Sequence, residues 1–420
     1  AIGLASNDRK ASLNNQVDIL GGDGQAAGAG TSTTYRRTRG IISAFGELDL
    51  PVLKQLSFNV GVRSDEYRDL GETTVNPKVA FRWQPMREVV MRGSANTGFR
   101  APSIPEIYSK ETERTAMATP FHDPLYCPGG TAVAQFAATP ELVCNLTGRF
   151  QVTKVPDNAR VSPEKSKSTT IGFAFEPARG VAATIDYWET QIDDVIGNRN
   201  INFILANQQL YTSLFNRNAD GTLQTDSVFN AATNLGSIRG AGIDASLRYD
   251  FRVADVGRIG LSMDVAYLTK WDARSPEVRN GDWVSALAQY NDVVPVNPNA
   301  GLSNATRGFN NRWRHTAALS WAEGPWFAQL SQRYQSKFAD QNLAARTGAG
   351  TSGPRNVASY EQFNLMGTWS GIKGLKLGAG VSNLFDRNPP QTNHNGYNGY
   401  LTSSVDVLGR AYRLTGEYTF

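Results

Sequence analysis

The residues of this sequence best suited to acid–base, nucleophilic or metal chemistry are three histidines and two cysteines. His122 and His394 fall in separate irregular segments, and no Gly-x-Ser-x-Gly nucleophile motif lies near them. His315 falls in an alternating segment, in the same register as Trp313 and Ala317. The histidines and cysteines do not cluster at the spacing of a metal site. The sequence therefore predicts no enzyme, no bound metal and no cofactor.

Cys127 and Cys144 lie close together in a segment rich in proline, glycine and threonine. In an exported protein, a single pair of nearby cysteines most simply forms a disulfide that closes a loop. Two free thiols are the alternative. We predict the disulfide, which would stiffen an exposed loop.

Aromatic residues interleaved with amides occupy several irregular segments and are the candidates for ligand binding. Such side chains suit sugars, peptides or aromatic chelates, because rings stack while amides form hydrogen bonds. The candidates are Tyr108, Phe121, His122 and Tyr126 in segment 99–162, Trp283 and Tyr290 in segment 272–311, and His394, Tyr397 and Tyr400 in segment 386–407. The alternative is that these rings only pack one loop against another, and the sequence does not decide between the two.

Strict alternation indicates the elements that must position these residues. In residues 241–251 every odd position is apolar or aromatic, and every even position is glycine, serine or charged. No helix has that period, and no run approaches the roughly 18 apolar residues of a membrane-spanning helix. Each apolar face persists for about 9–11 residues, enough to cross a bilayer at a tilt, and the opposite face is charged, as a wet lumen is. The sequence therefore predicts an all-β fold, an antiparallel transmembrane β-barrel.

Connection lengths support the barrel independently, because short and long links alternate. We predict about fourteen strands, at 1–10, 38–50, 54–65, 75–84, 88–98, 163–176, 181–196, 237–251, 257–271, 312–322, 325–338, 358–370, 374–385 and 408–420. Short links fall at 51–53, 85–87, 177–180, 252–256, 323–324 and 371–373, and long loops at 11–37, 66–74, 99–162, 197–236, 272–311, 339–357 and 386–407. Short periplasmic turns and long extracellular loops are typical of outer-membrane barrels. Four tryptophans beside short links suit the periplasmic interface: Trp83, Trp321, Trp326 and Trp369.

The charge pattern argues against nucleic-acid binding. A net charge of +4 is weak for 420 residues, and basic residues are scattered among acidic ones. Arg36, Arg37 and Arg39 form a local cluster where a loop re-enters the membrane. They are candidates to pair with lipopolysaccharide phosphates. A solvated cluster is the alternative.

Several segments, spread over nearly the whole chain, resemble the C-terminal barrel of TonB-dependent receptors. They are NPKVAFRWQP at 76–85, RGS at 92–94, TGFRAPS at 97–103, SPEKSKS at 162–168, FEP at 175–177, DYW at 186–188, IDDVI at 192–196, VSNLFD at 381–386 and RLTGEYTF at 413–420. No single motif is specific, but their order and spacing together are. On one face of the last segment, Tyr412, Tyr418 and Phe420 resemble the signal read by the outer-membrane insertion machinery, and they also suit contact with lipid.

The resemblance implies a 22-stranded barrel with an N-terminal plug domain folded inside it. We therefore expect residues 1–420 to be one domain, the C-terminal portion of such a barrel, without the plug, about eight strands and the segment that TonB grips. A self-sufficient fourteen-stranded pore is the alternative.

The function implied by the resemblance is active import of a scarce, bulky ligand across the outer membrane of a Gram-negative bacterium. The expected partners are the TonB energy-coupling complex, the remaining N-terminal barrel and plug, outer-membrane lipid and lipopolysaccharide, and an extracellular ligand. A siderophore, an oligosaccharide, a peptide or a corrinoid would each suit. A passive channel and a surface structural or adhesin barrel are the alternatives, because fold alone does not fix function.

Overall fold

The computed structural model describes residues 2–13, 31–32, 35–108, 111–116, 122–123, 125–146, 149–153, 161–197, 204, 210–229, 232–275, 282–288, 310–340, 356–392 and 405–420. Within these ranges, none of the helices has the length and apolar character needed to cross a membrane. The described helical elements are short and include α1 (Ile104–Tyr108) and 3₁₀ turns at Pro128–Gly130, Ala134–Phe136, Pro140–Leu142 and Thr212–Leu214.

Strands account for most of the described chain. In chain order they are β1 (Ile2–Leu13), β2 (Thr31–Ser32), β3 (Tyr35–Leu53), β4 (Leu56–Tyr67), β5 (Glu72–Met86), β6 (Val89–Arg100), β7 (Glu111–Ala116), β8 (Arg149–Thr153), β9 (Glu164–Ala178), β10 (Val181–Asp193), β11 (Ile196–Gly197), β12 (Phe215–Arg217), β13 (Leu223–Phe229), β14 (Thr233–Asn234), β15 (Ser237–Val253), β16 (Gly257–Arg274), β17 (Val284–Ser285), β18 (Trp313–Glu323), β19 (Trp326–Gln335), β20 (Phe338–Ala339), β21 (Asn356–Val357), β22 (Tyr360–Ile372), β23 (Leu375–Ser382) and β24 (Ala411–Tyr418).

Fourteen long strands form one antiparallel sheet in which neighbours in space are also neighbours along the chain. The order is β1-β3-β4-β5-β6-β9-β10-β15-β16-β18-β19-β22-β23-β24, with β17 added beside β16. Each of the fourteen predicted strands overlaps one of these. The prediction of an all-β antiparallel sheet is therefore confirmed.

The two faces of the sheet differ in chemistry, as the alternation predicts. On one face, called the apolar face here, Leu247 pairs across β15 and β16 with Met263, and Leu261 pairs with Leu319 of β18. The other, polar face carries Asp244, Ser246 and Arg248 between these positions. Leu48, Leu247 and Leu319 are 58%, 45% and 46% exposed. A continuous exposed apolar surface of this kind suits contact with hydrocarbon rather than water.

Six tight turns join strand pairs at one edge of the sheet, the short-turn edge. They are residues 54–55, 87–88, 179–180, 254–256, 324–325 and 373–374. The predicted tryptophans lie near this edge. Trp326 and Trp369 are cross-strand neighbours whose ring centroids are 6.1 Å apart, and the indole N–H of Trp321 donates to the Val256 carbonyl at 2.6 Å.

A second row of aromatic residues, not predicted from the sequence, lies on the apolar face near the opposite edge of the sheet. We call this edge, from which the long loops extend, the long-loop edge. Tyr267 and Trp313 meet edge to face at 5.9 Å, and His315 stacks on Tyr334 at 5.0 Å. Trp313 and Trp321 lie eight residues apart on β18, which is about 26 Å along a strand. Tilt reduces that separation to roughly 20 Å, close to the apolar band of about 25 Å between the aromatic girdles of outer-membrane barrels.

The structure differs from the sequence prediction in its connections. The link predicted as a long loop at 66–74 is only residues 68–71, because β4 and β5 continue to Tyr67 and Glu72. Gly71 adopts a positive φ of 65° that permits this tight turn. Three long loops contribute strands to a separate five-stranded sheet of order β12-β13-β8-β7-β2. The segments 31–32, 111–116, 149–153 and 215–229 are thus joined in one layer at the long-loop edge.

The assignment of faces predicts opposite results for two adjacent substitutions in β18. Leu319→Arg puts a guanidinium in the apolar band, two residues from Trp321, where it destabilises by about 2 kcal/mol, between the values for the midplane and the interface. Ala318→Arg points to the polar face between Ser262 and Ser331, where we expect less than about 1 kcal/mol. Urea unfolding in lipid vesicles, followed by gel mobility without heating, measures both. Equal destabilisation by the two variants would contradict the assignment.

Candidate functional site

Ion pairs that join different strands line the polar face. Arg92 donates to both carboxylate oxygens of Asp186 at 2.9 and 2.7 Å, although β9 lies between their strands. The intervening residue is Gly172, and a Cβ there would lie 1.9 Å from Asp186 Oδ1. A glycine is therefore needed for Asp186 to reach across one strand. Arg248 and Asp264 form a similar pair at 2.8 Å on β15 and β16.

A cavity of about 600 Å³ lies on the polar face and spans six strands, from β10 to β22. Its lining includes four carboxylates: Asp186, Asp244 and Asp264, which β10, β15 and β16 contribute to one side, and Asp406, which precedes β24. Arg314 and Arg333, on β18 and β19, line the opposite side. The cavity thus has an acidic side and a basic side.

Arg314 and Arg333 differ from most arginines of this face. Arg314 lies opposite Gln335 and Arg333 opposite Thr316, so the two guanidinium groups are diagonal neighbours on adjacent strands. Both side chains are exposed, and no ion pair of either is found within the described ranges. Two like charges side by side repel each other, and an anionic ligand that accepts hydrogen bonds from both would relieve that repulsion.

Two indole rings, also missed from sequence, lie against a pair of glycines in β15. A Cβ on Gly242 would lie 2.9 Å from Cζ2 of Trp188, and one on Gly240 would lie 2.9 Å from Cε3 of Trp271. The rings therefore occupy the space that side chains would take at these positions. The Gly-x-Gly spacing inside a strand was the available signal, because glycine in a strand marks close approach by another group. Trp188 lies two residues beyond Asp186, so the rings adjoin the cavity on its long-loop side.

The loop segment 122–146 folds around the predicted disulfide, which the structure contains. Cys127 and Cys144 are joined with Cα atoms 5.5 Å apart. Both are buried with Phe136 and Val143 in a small apolar cluster, and Tyr126 packs against it. We call this segment the disulfide lobe.

A buried ion pair ties the disulfide lobe to the loop that follows β11. Asp123 is fully buried and accepts from Arg217 Nη1 at 2.7 Å and Nη2 at 3.1 Å. The backbone N–H of Leu125 donates to the same carboxylate at 2.9 Å. The Arg217 guanidinium also lies 5.4 Å from the Tyr126 ring centroid. Two long loops are therefore held as one unit by a charge that has no access to water.

The structure brings together only part of the predicted ligand-binding set. His122 and Tyr126 share the disulfide lobe, whereas Trp283 packs between Arg239 and Arg274 at 4.3 and 4.8 Å. Tyr108 is the last residue of α1. The remaining candidates lie outside the described residues: Phe121, Tyr290, His394, Tyr397 and Tyr400.

His122 is positioned by the lobe itself. Its Nδ1 accepts from the Asn145 backbone N–H at 3.2 Å and lies 3.7 Å from Cys127 Sγ. The ligand atoms of His122, Cys127 and Cys144 lie within 4.8 Å of one another. Because both sulfur atoms are in the disulfide, they offer no thiolate for a metal ion.

The suggestion that Arg39 pairs with lipopolysaccharide, or is solvated, is wrong. Arg39 is 4% exposed, and its Nε donates to Asp69 at 2.8 Å while Nη1 donates to the Pro102 carbonyl at 2.6 Å. The guanidinium is therefore committed to a buried ion pair. The side chains of Arg36 and Arg37 lie outside the described residues.

The aromatic residues at the C-terminus share the apolar face. Tyr412 is 73% exposed, and the rings of Tyr418 and Phe420 meet edge to face at 4.9 Å. Their exposure and face suit contact with lipid, as expected from the sequence.

A capping box begins helix α1 directly after β6. The Glu106 carboxylate accepts from the Ser103 N–H at 2.6 Å, and Ser103 Oγ accepts from the Glu106 N–H at 3.3 Å. Arg100 bridges Glu106 and Glu164 at 2.9 and 2.7 Å. Desolvation raises the pKa of Glu106, but hydrogen bonds from Arg100 and Ser103 outweigh it, so the pKa is lowered from its usual value.

Because the Asp123–Arg217 ion pair is buried, we expect removal of the Asp123 carboxylate to destabilise the disulfide lobe strongly. Asp123→Ala leaves Arg217 without its partner and should destabilise the lobe by about 3 kcal/mol. Hydrogen exchange of residues 122–146 measures this local stability. Glu141→Ala, an exposed position in the same lobe, is the control and should change little. Unchanged exchange in Asp123→Ala would contradict the proposed link.

The lowered pKa of Glu106 predicts that α1 loosens in acid. Because the folded pKa lies below the unfolded value of about 4.3, stabilisation is complete above that value and is lost as pH falls through the folded pKa. Glu106→Gln should remove this pH dependence, whereas Glu141→Gln should retain it. Protease cleavage near α1 between pH 6 and pH 3 tests both, and equal pH dependence in Glu106→Gln and the unaltered protein would refute the assignment.

Comparison with known proteins agrees with this architecture. The family model described as TonB dependent receptor-like, beta-barrel, matches residues 3–384. The ferric enterobactin receptor (PfeA) from Pseudomonas aeruginosa has a TM-score of 0.60 at 16% identity, covering 92% of this chain and 46% of that receptor. The siderophore receptor PirA from Acinetobacter baumannii gives the same values. The FrpB iron transporter from Neisseria meningitidis has a TM-score of 0.54 at 17% identity, with 92% and 46% coverage.

The comparison with curated protein sequences finds no match. At 16–17% identity the solved structures show the fold alone, and this chain spans about half of their length, 46% in each case. The family model, by contrast, matches most of the sequence. The chain therefore belongs to the β-barrel family of TonB-dependent receptors.

Proposed function

We propose that this chain lines the path by which a scarce, bulky ligand is imported across the outer membrane with energy supplied through TonB. The observation that carries the proposal is the two-faced sheet. Its apolar face is exposed, while its polar face holds a cavity of about 600 Å³ beneath loops that are themselves folded. Such a wall separates lipid from a wet interior.

In this proposal the fourteen strands are part of a closed barrel of about 22 strands that surrounds a plug domain. The similar receptors are about twice as long as this chain, which supports additional strands and a plug. Closure would also satisfy the backbone hydrogen-bonding groups at the outer edges of β1 and β24. TonB, the plug and the remaining strands are thus proposed partners.

The ligand class best supported is an anionic chelate of the siderophore type. Arg314 and Arg333 offer the cavity two guanidinium groups that form no ion pair with any described residue, and the indoles of Trp188 and Trp271 adjoin it. Three of the similar structures carry siderophore or iron names. An oligosaccharide, a peptide or a corrinoid would use the rings more than the arginines.

The aromatic residues of the loops are proposed as the outer binding surface. His122 and Tyr126 would present it from the disulfide lobe, and the other proposed members are Tyr108, Phe121, Tyr290, His394, Tyr397 and Tyr400. Packing between loops is a second role that Tyr126 already serves, because the Arg217 guanidinium of the following loop lies 5.4 Å from its ring centroid. Trp283 instead lies between Arg239 and Arg274 of the apolar face.

The test uses the complete receptor in cells and ferric enterobactin as the first trial ligand. Uptake of labelled iron should require TonB, and Arg314→Ala/Arg333→Ala should weaken binding by about tenfold or more, as expected for losing charge-assisted hydrogen bonds. Arg82→Ala, an arginine of the same face near the short-turn edge, is the control and should bind normally.

Uptake that persists in cells lacking TonB would contradict active import and favour a passive channel. Absence of both binding and uptake of every trial ligand would favour a structural or adhesin barrel. Normal binding by the double arginine variant would remove the argument for an anionic ligand while leaving TonB-dependent import in place.

A further inference from the structure

A group of basic side chains lies on the apolar face, beyond the aromatic row that ends its hydrophobic part. Two rows of cross-strand neighbours contain its charged residues except Lys270, which lies opposite Ala241 in the adjacent row that also includes Glu189. One row runs from Lys167 through Gln191 and Arg239 to Asp272, and the next from Lys165 through Asp193 and Ser237 to Arg274. We call Lys165, Lys167, Arg239, Lys270 and Arg274, with Trp283, the basic patch.

The strand period places this patch on the face that carries the apolar side chains. Lys165 and Lys167 have the same parity as Ile171 on β9, and Arg239 has the same parity as Ile243 on β15. On β16 a register shift occurs between the pairs Gly242–Leu268 and Ala241–Lys270. This bulge turns Lys270, and with it Asp272 and Arg274, to the face of Arg239. Without it they would share the polar face with Asp264.

The position of the patch relative to the aromatic row matches a lipid headgroup layer. Lys270 is three residues beyond Tyr267, and successive same-face positions are about 7 Å apart along a strand. With the usual tilt, the patch covers roughly 5–15 Å beyond the hydrophobic boundary. Strand β16 continues to Arg274 although its pairing with β18 ends at Tyr267, and there the short strand β17 pairs with it instead.

The charges of the patch are held in place but not neutralised. Arg239 pairs with Asp272 at 2.9 Å, Lys270 with Glu189 at 3.0 Å and Arg274 with Asp193 at 3.6 Å. The ring of Trp283 lies between the guanidinium groups of Arg239 and Arg274 and stiffens both.

Lys165 and Lys167 supply the excess positive charge of the basic patch. Both are exposed, and within the part of the chain that the structure describes neither forms an ion pair. Five cations thus face three carboxylates, which leaves two positive charges on a wall that faces lipid. A soluble ligand on the import path would contact the opposite face, so the occupant must come from the membrane.

We propose that the basic patch is a binding site for a phosphorylated glycolipid of the outer leaflet. The two lysines and the two ordered guanidinium groups would bind its phosphates, and Trp283 would lie against the sugar. The proposal rests on the outer-membrane placement of the sheet and is independent of the ligand that is imported.

The experiment measures binding of bisphosphorylated lipid A to the complete receptor in detergent by native mass spectrometry. Lys165→Ala/Lys167→Ala should weaken binding by about tenfold or more, since each basic side chain near an anionic headgroup contributes roughly fivefold. Removing these two breaks no ion pair among the described residues, so the fold should be retained. Lys78→Ala/Lys376→Ala removes the same charge from the polar face and should bind like the unaltered protein.

A second arm identifies the phosphates as the recognised group. Dephosphorylated lipid A should bind the unaltered protein as weakly as intact lipid A binds Lys165→Ala/Lys167→Ala. Equal binding of intact lipid A by the unaltered protein and that variant would overturn the proposal, as would an equal loss in the polar-face control. Unchanged uptake of the transported ligand in the patch variant would agree with the proposal, because the import path lies on the other face.

Discussion

The backbone hydrogen bond between neighbouring strands is the constraint on which this structure depends. Where side chains contact hydrocarbon, no water is available for a free N–H or C=O group, so every strand must pair on both sides. Consecutive antiparallel pairing meets that demand with short turns at one edge and long loops at the other. It also forces side chains to alternate between two media, which explains why Leu319 and its neighbour Ala318 have different surroundings.

Close approaches on the polar face follow from the same geometry. Because the backbone is committed to the sheet, specific contacts must come from side chains that reach across strands. Gly172 lets Asp186 reach Arg92, and the Gly240–Gly242 pair receives two indole rings. The bulge in β16 has a different effect, because it turns the Lys270 side chain from the polar face to the apolar face. Small backbone features thus decide which medium a charge meets.

Much of the sheet could be predicted from the sequence, because alternation and turn residues are local signals. The fourteen strands, the turn tryptophans and the Cys127–Cys144 pairing all follow from residues near one another in sequence. The contacts that build the candidate site join residues far apart in sequence, so local signals do not predict them. Arg217 meets Asp123 across 94 residues, and β8 pairs in parallel with β13 from a different loop. The cluster of arginines at 36–39 suggested a surface role for Arg39, but Asp69, 30 residues away in sequence, holds it in a buried ion pair.

The central claim is that the apolar face contacts lipid and the polar face contacts water, strand after strand. Spin labels placed singly at positions 313–323 of β18 in the complete receptor, reconstituted in bilayers, test it most directly. Accessibility to oxygen should peak at odd positions and accessibility to a water-soluble nickel complex at even positions, with a period of two. Accessibility without that period, or with the two faces reversed, would contradict the account.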